Sequence, residues 1–74
     1  MYDSGNYGII KFKLKDILER DNISKNRLSV ISGVRFDTIH RYVKGDIVKV
    51  DLDIMCRLCK ALGCNIEDII EYME

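Results

Sequence analysis

The segment "GVRFDTIHRYVKG", Gly33–Gly45, gathers varied side-chain chemistry into a short span. Arg35 and Arg41 carry planar guanidinium groups that donate in pairs to phosphates or to the acceptor edges of bases. Asp37 accepts, Thr38 is a short hydroxyl, and a neutral His40 both donates and accepts. Phe36 puts an aromatic ring on a face that a merely solvated helix would leave polar. A second cluster, "CRLCKALGC", spaces Cys56, Cys59 and Cys64 as C-x-x-C-x-x-x-x-C. Three thiolates can hold zinc or answer to an oxidant, but a structural zinc site ordinarily takes four ligands, and His40 lies far off in the chain. An odd number of cysteines speaks against a disulfide framework and for a reducing compartment.

Both clusters depend on helices to position them. Val34, Ile39 and Tyr42/Val43 recur at helical spacing, which predicts a helix over 35–44 with its apolar stripe inward and its mixed face outward. Gly45 stops it. Upstream, Ser24 is placed to cap a helix over 25–31 that buries Leu28 and Ile31, with the small Ser29 on its inner side. Ser32–Gly33 breaks that helix, and a glycine supplies the positive φ of a tight turn. Leu14, Ile17 and Leu18 predict an earlier helix running to about Asn22. Asp51 or Asp53 begins a fourth helix, with Leu52, Met55, Cys56, Cys59 and Leu62 on one face and Gly63 at its end. The cysteines on that face read as small buried hydrophobes. Asn65 caps a last helix with Ile66, Ile69, Ile70 and Met73 inward.

"MYDSGNYG" reads as a mobile N-terminal arm, residues 1–8, ahead of one domain over 9–74. "IIKFKL" alternates apolar and lysine residues, and "DIVKVDL" sets Val48 and Val50 around Lys49. These predict a short two-stranded β element at 9–13 and 47–50 beside five helices. The fold class expected is all-α, a compact five-helix arrangement.

Helix, short glycine-containing turn, helix is the helix-turn-helix unit, here over 24–44. Its second helix is of a size to enter the major groove of DNA. On that reading Arg35 and Arg41 donate to guanine O6/N7 or, in the commoner use, to phosphate. Thr38 stands at reading height for a base. Phe36 fits two roles, contact with a thymine methyl or packing back on the neighbouring helix. Asp37 can accept from cytosine N4 or serve the positive end of its helix. His40 has no partner ligand at helical spacing and reads as a donor/acceptor to base or phosphate. Lys25, Lys44 and Lys49 flank the helix as phosphate clamps, with Asn26 and the backbone amides at the start of the preceding helix. The expected DNA-facing set is therefore Lys25, Asn26, Arg35, Phe36, Asp37, Thr38, His40, Arg41, Lys44 and Lys49.

The stretch "ISKNRLSVISGVRFDTIHRYVKG" resembles the helix-turn-helix of Cro and phage-repressor type regulators, the xenobiotic-response-element family. "DLDIMCRLCKALGCNIEDIIEY" is similar to that family's ending, an apolar helix closed by "ALG" and followed by a short last helix. The resemblance spans about Lys11 to Tyr72. Lys25 stands where the family often has Gln, and Ser29 where it usually has Ala. The resemblance implies a lambda-repressor-like DNA-binding domain, sequence-specific binding of double-stranded DNA, and transcriptional regulation, usually as a dimer.

Formal net charge is zero, yet it is unevenly placed. Residues 1–50 hold ten Lys/Arg against six Asp/Glu, and residues 51–74 hold two against six. A one-sided polyanion surface would show this asymmetry. No Gly-rich phosphate loop and no oriented nucleophile–base pair is visible, so an enzyme is not expected, nor a metal or cofactor. No apolar run approaches the ~20 residues of a membrane span, and no signal peptide is visible; the expected location is the cytoplasm, and the expected partners are DNA and a second copy. A second class stays open, a protein-interaction adaptor or antitoxin-like module on the same fold, favoured by zero net charge and by Asp37.

Overall fold

The computed structural model describes residues 7–74. Strand β1 (Ile9–Phe12) leads into α1 (Leu14–Asp21), α2 (Lys25–Ser32), α3 (Phe36–Lys44), α4 (Leu52–Leu62), the single turn α5 (Ile66–Ile69) and strand β2 (Ile70–Met73). Leu14, Ile17 and Leu18 bury one face of α1, and Asn22 ends it in the left-handed region, which asparagine tolerates better than most residues. Buried Leu28, Val34, Ile39, Tyr42, Met55, Leu58 and Ile69 complete one core from all five helices.

The turn between α2 and α3 is held by hydroxyls as well as by backbone. Ser24 Oγ accepts from Arg27 N at 3.0 Å, the expected cap. Gly33 takes φ 73° and donates to Ser29 O. Ser29 Oγ donates to Val34 O at 2.6 Å, so its hydroxyl bridges the turn. Ser32 Oγ donates to Leu28 O at 2.6 Å and accepts from Val34 N at 3.2 Å. The expectation that Ile31 would be buried is corrected: it is exposed, and Ser32, four residues after Leu28, takes the inward place.

The β element is real but differently paired. Residues 47–50 form no strand; β1 pairs antiparallel with β2, Ile9 opposite Met73 and Phe12 opposite Ile70. The last helix is accordingly one turn long, and Ile66 and Met73 are exposed. Ile66, Ile69, Ile70 and Met73 fit helical spacing, but Ile70–Met73 also fits a strand, and the open edge of β1 decides between them. Lys13 N donates to Ile69 O at 2.6 Å and Lys13 Nζ pairs with Glu71 at 3.5 Å, drawing the two segments together. "All-α" is thus adjusted to five helices with a two-stranded ribbon. Of the expected arm, residues 1–6 lie outside the described residues, whereas Gly8 N donates to the Tyr72 hydroxyl at 3.1 Å.

Gly8 also lies so close to the Met73 backbone that an added Cβ would collide with the Met73 carbonyl. Gly8→Ala is expected to splay the ribbon and cost about 1–3 kcal/mol, the usual range for overpacking. Urea unfolding checks it; an unchanged midpoint would contradict the packing described.

In α4 the inward line runs through Met55, Leu58 and half-buried Cys59, while Leu52 and Cys56 are exposed. This corrects the expected face. Asp51 caps the helix, accepting from Asp53 N and Ile54 N, and positions 55, 58, 59 and 62 form the spacing that meets the core. Cys64 N donates to Cys59 O at 3.1 Å, closing the helix around Gly63. Burial pushes the Cys59 and Cys64 thiols above the ordinary cysteine range, so both are short of thiolate at neutral pH. A dilute thiol reagent is therefore expected to label Cys56 first and the other two slowly. Rapid labelling of all three would contradict that burial. Among the described residues no metal-holding group of His, Cys, Asp and Glu is found.

Candidate nucleic-acid interface

α3 is seated by Ile39 and Tyr42, both buried, and by half-buried Val43. Tyr42 meets Phe12 edge-to-face at 6.1 Å, and its hydroxyl accepts from Asp51 N at 3.1 Å. One side chain thereby ties the helix to the ribbon and to the loop that follows. With the inner face fixed, the helical period sorts the remaining residues into three lines.

Asp37, Arg41 and Lys44 point furthest from the core, and all three are exposed. Asp37 is in the first turn of α3, and Arg35, the N-cap residue, sets its Nε 3.6 Å from Asp37 Oδ1. Both partners are largely exposed, so the pair adds little stability. It does set a donor and an acceptor side by side at the tip of the helix. Thr38 lies on one flank, half-buried, one helical turn before buried Tyr42.

Phe36 and His40 lie on the other flank, their rings nearly parallel with centroids 6.4 Å apart. Lys25 Nζ approaches His40 Nδ1 to 2.9 Å. An ammonium only donates, so Nδ1 accepts and Nε2–H is the ring's remaining donor. Phe36 is 45% exposed and so is shared between solvent and a groove. That groove, of about 1130 Å³, runs between α1, the start of α2 and α3. Leu18, Ile23 and Val43 contribute apolar lining; Lys15, Lys25, Arg27 and Lys44 bring four positive charges against the single Glu19.

Of the expected set, Lys25, Asn26, Phe36 and Lys44 line this groove, with His40 linked to it through Lys25. Arg35, Asp37, Thr38 and Arg41 lie outside it on the rest of the α3 surface, and Lys49 stands apart in the α3–α4 loop. Lys15, Asn22 and Arg27 also line the groove and were absent from the expected set. Arg27 was within reach of sequence reasoning, because it shares the first turn of α2 with Lys25 and Asn26. Lys15 and Asn22 come from α1, and only the tertiary fold brings them there. Ser24 satisfies one free amide of α2, leaving those of Lys25 and Asn26 without helical carbonyl partners.

No helix among the described residues is long and apolar enough to cross a membrane. The crystal structure of transcriptional regulator VanUg, form II, superposes with a TM-score of 0.71 over 99% of this chain and 96% of that one, at 24% identity. The "SPbeta prophage-derived uncharacterized HTH-type transcriptional regulator YopS" of Bacillus subtilis (strain 168) is 33% identical over 61 residues, 80% of each chain. A profile of the Cro/C1-type HTH DNA-binding domain matches residues 13–74. The chain therefore belongs to the Cro/C1-type helix-turn-helix family of DNA-binding transcriptional regulators.

Proposed function

We propose that this protein binds double-stranded DNA sequence-specifically, inserts α3 into the major groove, and acts as a repressor by occupying its operator. The observation that carries the proposal is the arrangement of α3. Its inner face is locked by Ile39 and Tyr42, its outer face carries varied polar groups, and a cationic groove adjoins it. A rigid helix with a mixed outer face suits the reading of unlike base edges. The groove's lysines and Arg27, with the free amides of α2, suit a phosphate strand beside the helix.

Exposure shifts weight among the candidate readers. Arg41 and Asp37 stand on the outermost line, so Arg41 is assigned to guanine O6/N7 and Asp37 to cytosine N4. Thr38, expected as a reader, is half-buried on the flank and is assigned to a neighbouring phosphate or sugar. Phe36 and His40 face the strand on the groove side. Two copies reading half-sites about one helical turn apart would supply the affinity that one small module lacks. Strand β1 and strand β2, which carries Tyr72, pair with each other within the chain.

An adaptor or antitoxin-like role is the second reading, supported by zero net charge and by Asp37. Selection from random-sequence duplexes at low salt separates the two. Enrichment of one motif is expected; failure to enrich any sequence would favour the adaptor.

A further inference from the structure

The groove between α1, the start of α2 and α3 holds more than a phosphate strand calls for. Its rim carries Lys15, Lys25, Arg27 and Lys44, and among the described residues none of the four is in an ion pair. Phosphates account for those charges. They do not account for the apolar lining, in which Leu18 is buried, Ile23 and Val43 are half-buried, and the Phe36 ring stands 45% exposed. Apolar surface left open inside a cationic rim suits a ligand that is apolar on one side and anionic beside it.

The spread of the charges sets the kind of ligand. Lys15 is in the first turn of α1, Lys25 and Arg27 are in the first turn of α2, and Lys44 is the last residue of α3. Cations on three helices do not converge on one headgroup; they match several anions held apart on a frame. Phe36 and Lys44 open and close α3 and both line the groove, which therefore runs the length of that helix, about 12 Å at ~1.5 Å per residue. A little over two turns of a guest helix span that distance, and at a diameter of about 10–12 Å they fill roughly 900–1,400 Å³. The groove's volume is about 1130 Å³.

We infer that this groove is also the docking site of a protein partner, an acidic amphipathic helix. Its apolar side chains, at i, i+3 or i+4 and i+7, seat on Ile23, Val43 and Phe36, and carboxylates flanking that stripe meet the four cations. Phe36 is the anchor, because a large aromatic contributes most where a partner shuts out water. Lys25 reaches a carboxylate without leaving His40, since an ammonium has three protons to donate and the ring accepts one. Such a helix and a phosphate strand need the same Lys25, Arg27 and Lys44, so each excludes the other. That exclusion rests on the DNA reading proposed above; the docking does not. The partner thereby lifts the protein from DNA without any change in its fold.

The test is selection from a displayed library of helices about 14 residues long, near the length at which an isolated helix holds. Glutamates are fixed on both flanks, and the stripe between them varies among Leu, Ile, Met and Phe. The full chain is expected to enrich one stripe, and the selected peptide to bind roughly tenfold tighter than the same residues in scrambled order. That peptide is expected to move the amides of Ile23–Arg27, Phe36 and Lys44 and to displace the selected duplex. Phe36→Ala is expected to weaken it about tenfold, as loss of an anchoring aromatic does, while Phe36→Leu stays within about threefold.

Equal binding of the scrambled peptide would reduce the site to undirected charge attraction and overturn the inference. Decanoate bound in the groove as tightly as the peptide would assign it to a small amphipathic anion, and a self-associated form of the protein that the peptide dissolves would assign it to a second copy; either overturns the inference. A library that enriches nothing, with duplex binding intact, overturns the inference alone. A peptide seated in the groove while the duplex stays bound overturns the placement of DNA there, and the exclusion with it, and leaves the docking standing.

Discussion

Ile39→Ala is expected to destabilise the protein by about 2–5 kcal/mol, the range for truncating a large buried aliphatic residue. Ile39 is fully buried in the core cluster, and it is one of the two buried residues that, with half-buried Val43, hold α3 by its inner face. A domain of this size has about 4–11 kcal/mol in total, so the loss removes a large share of the folded margin. Truncation also frees α3 to rock, which would blur any reading of base edges before the chain unfolds. Urea denaturation, with helical content as the signal, measures the effect. A midpoint shift equivalent to less than about 0.5 kcal/mol, typical of surface sites, would mean that Ile39 does not seat the helix.

Arg41→Ala is expected to leave stability nearly unchanged and to relax sequence preference at one base pair of the selected site. Arg41 is exposed on the outermost line of α3, and a bidentate arginine contributes about 1–3 kcal/mol of discrimination against the wrong base. Thr38→Ala, on the half-buried flank, is expected to weaken all sequences alike and by less. Lys25→Ala adds a further contrast. It removes one groove charge and the Nδ1 partner of His40, so its signature is a salt slope lower by about 1 with the preferred sequence retained. Competition titrations against single-base variants of the duplex, at two salt concentrations, check all three. If Thr38→Ala relaxed one position and Arg41→Ala weakened every sequence equally, the assigned roles would be exchanged.

The helices were legible because their signals are local. Ser24, Gly33, Gly45, Asp51 and Gly63 mark helix ends by cap chemistry, and each sits at a boundary in the structure. Helix α3 was legible because Ile39 and Tyr42 fall at the spacing that faces a core. What was misread depended on partners distant in sequence. Ile70–Met73 satisfies two periods at once, and only β1, some sixty residues away, selects the strand. Val48 and Val50 alternate like a strand, but the loop that carries them is pinned through Tyr42 and pairs with no strand. Cys56 and Leu52 share a spacing that fits an inward face, yet both lie on the outer side of α4. Within the candidate interface, identity was readable and direction was not. Asp37 by type suits a base or its own helix end, and Arg35 lies 3.6 Å from it; Thr38 by type suits a base, yet it is half-buried.

The central claim is that the outer face of α3 and the adjoining groove form the nucleic-acid surface. Amide chemical shifts of the isotope-labelled protein, followed as the selected duplex is added, test it most directly. The predicted shifts centre on Arg35–Lys44 and on Ser24–Arg27, with Lys15 at the margin and the inward turns of α4 unmoved. Shifts confined to the β ribbon or to α4, with Arg35–Lys44 silent, would contradict the account.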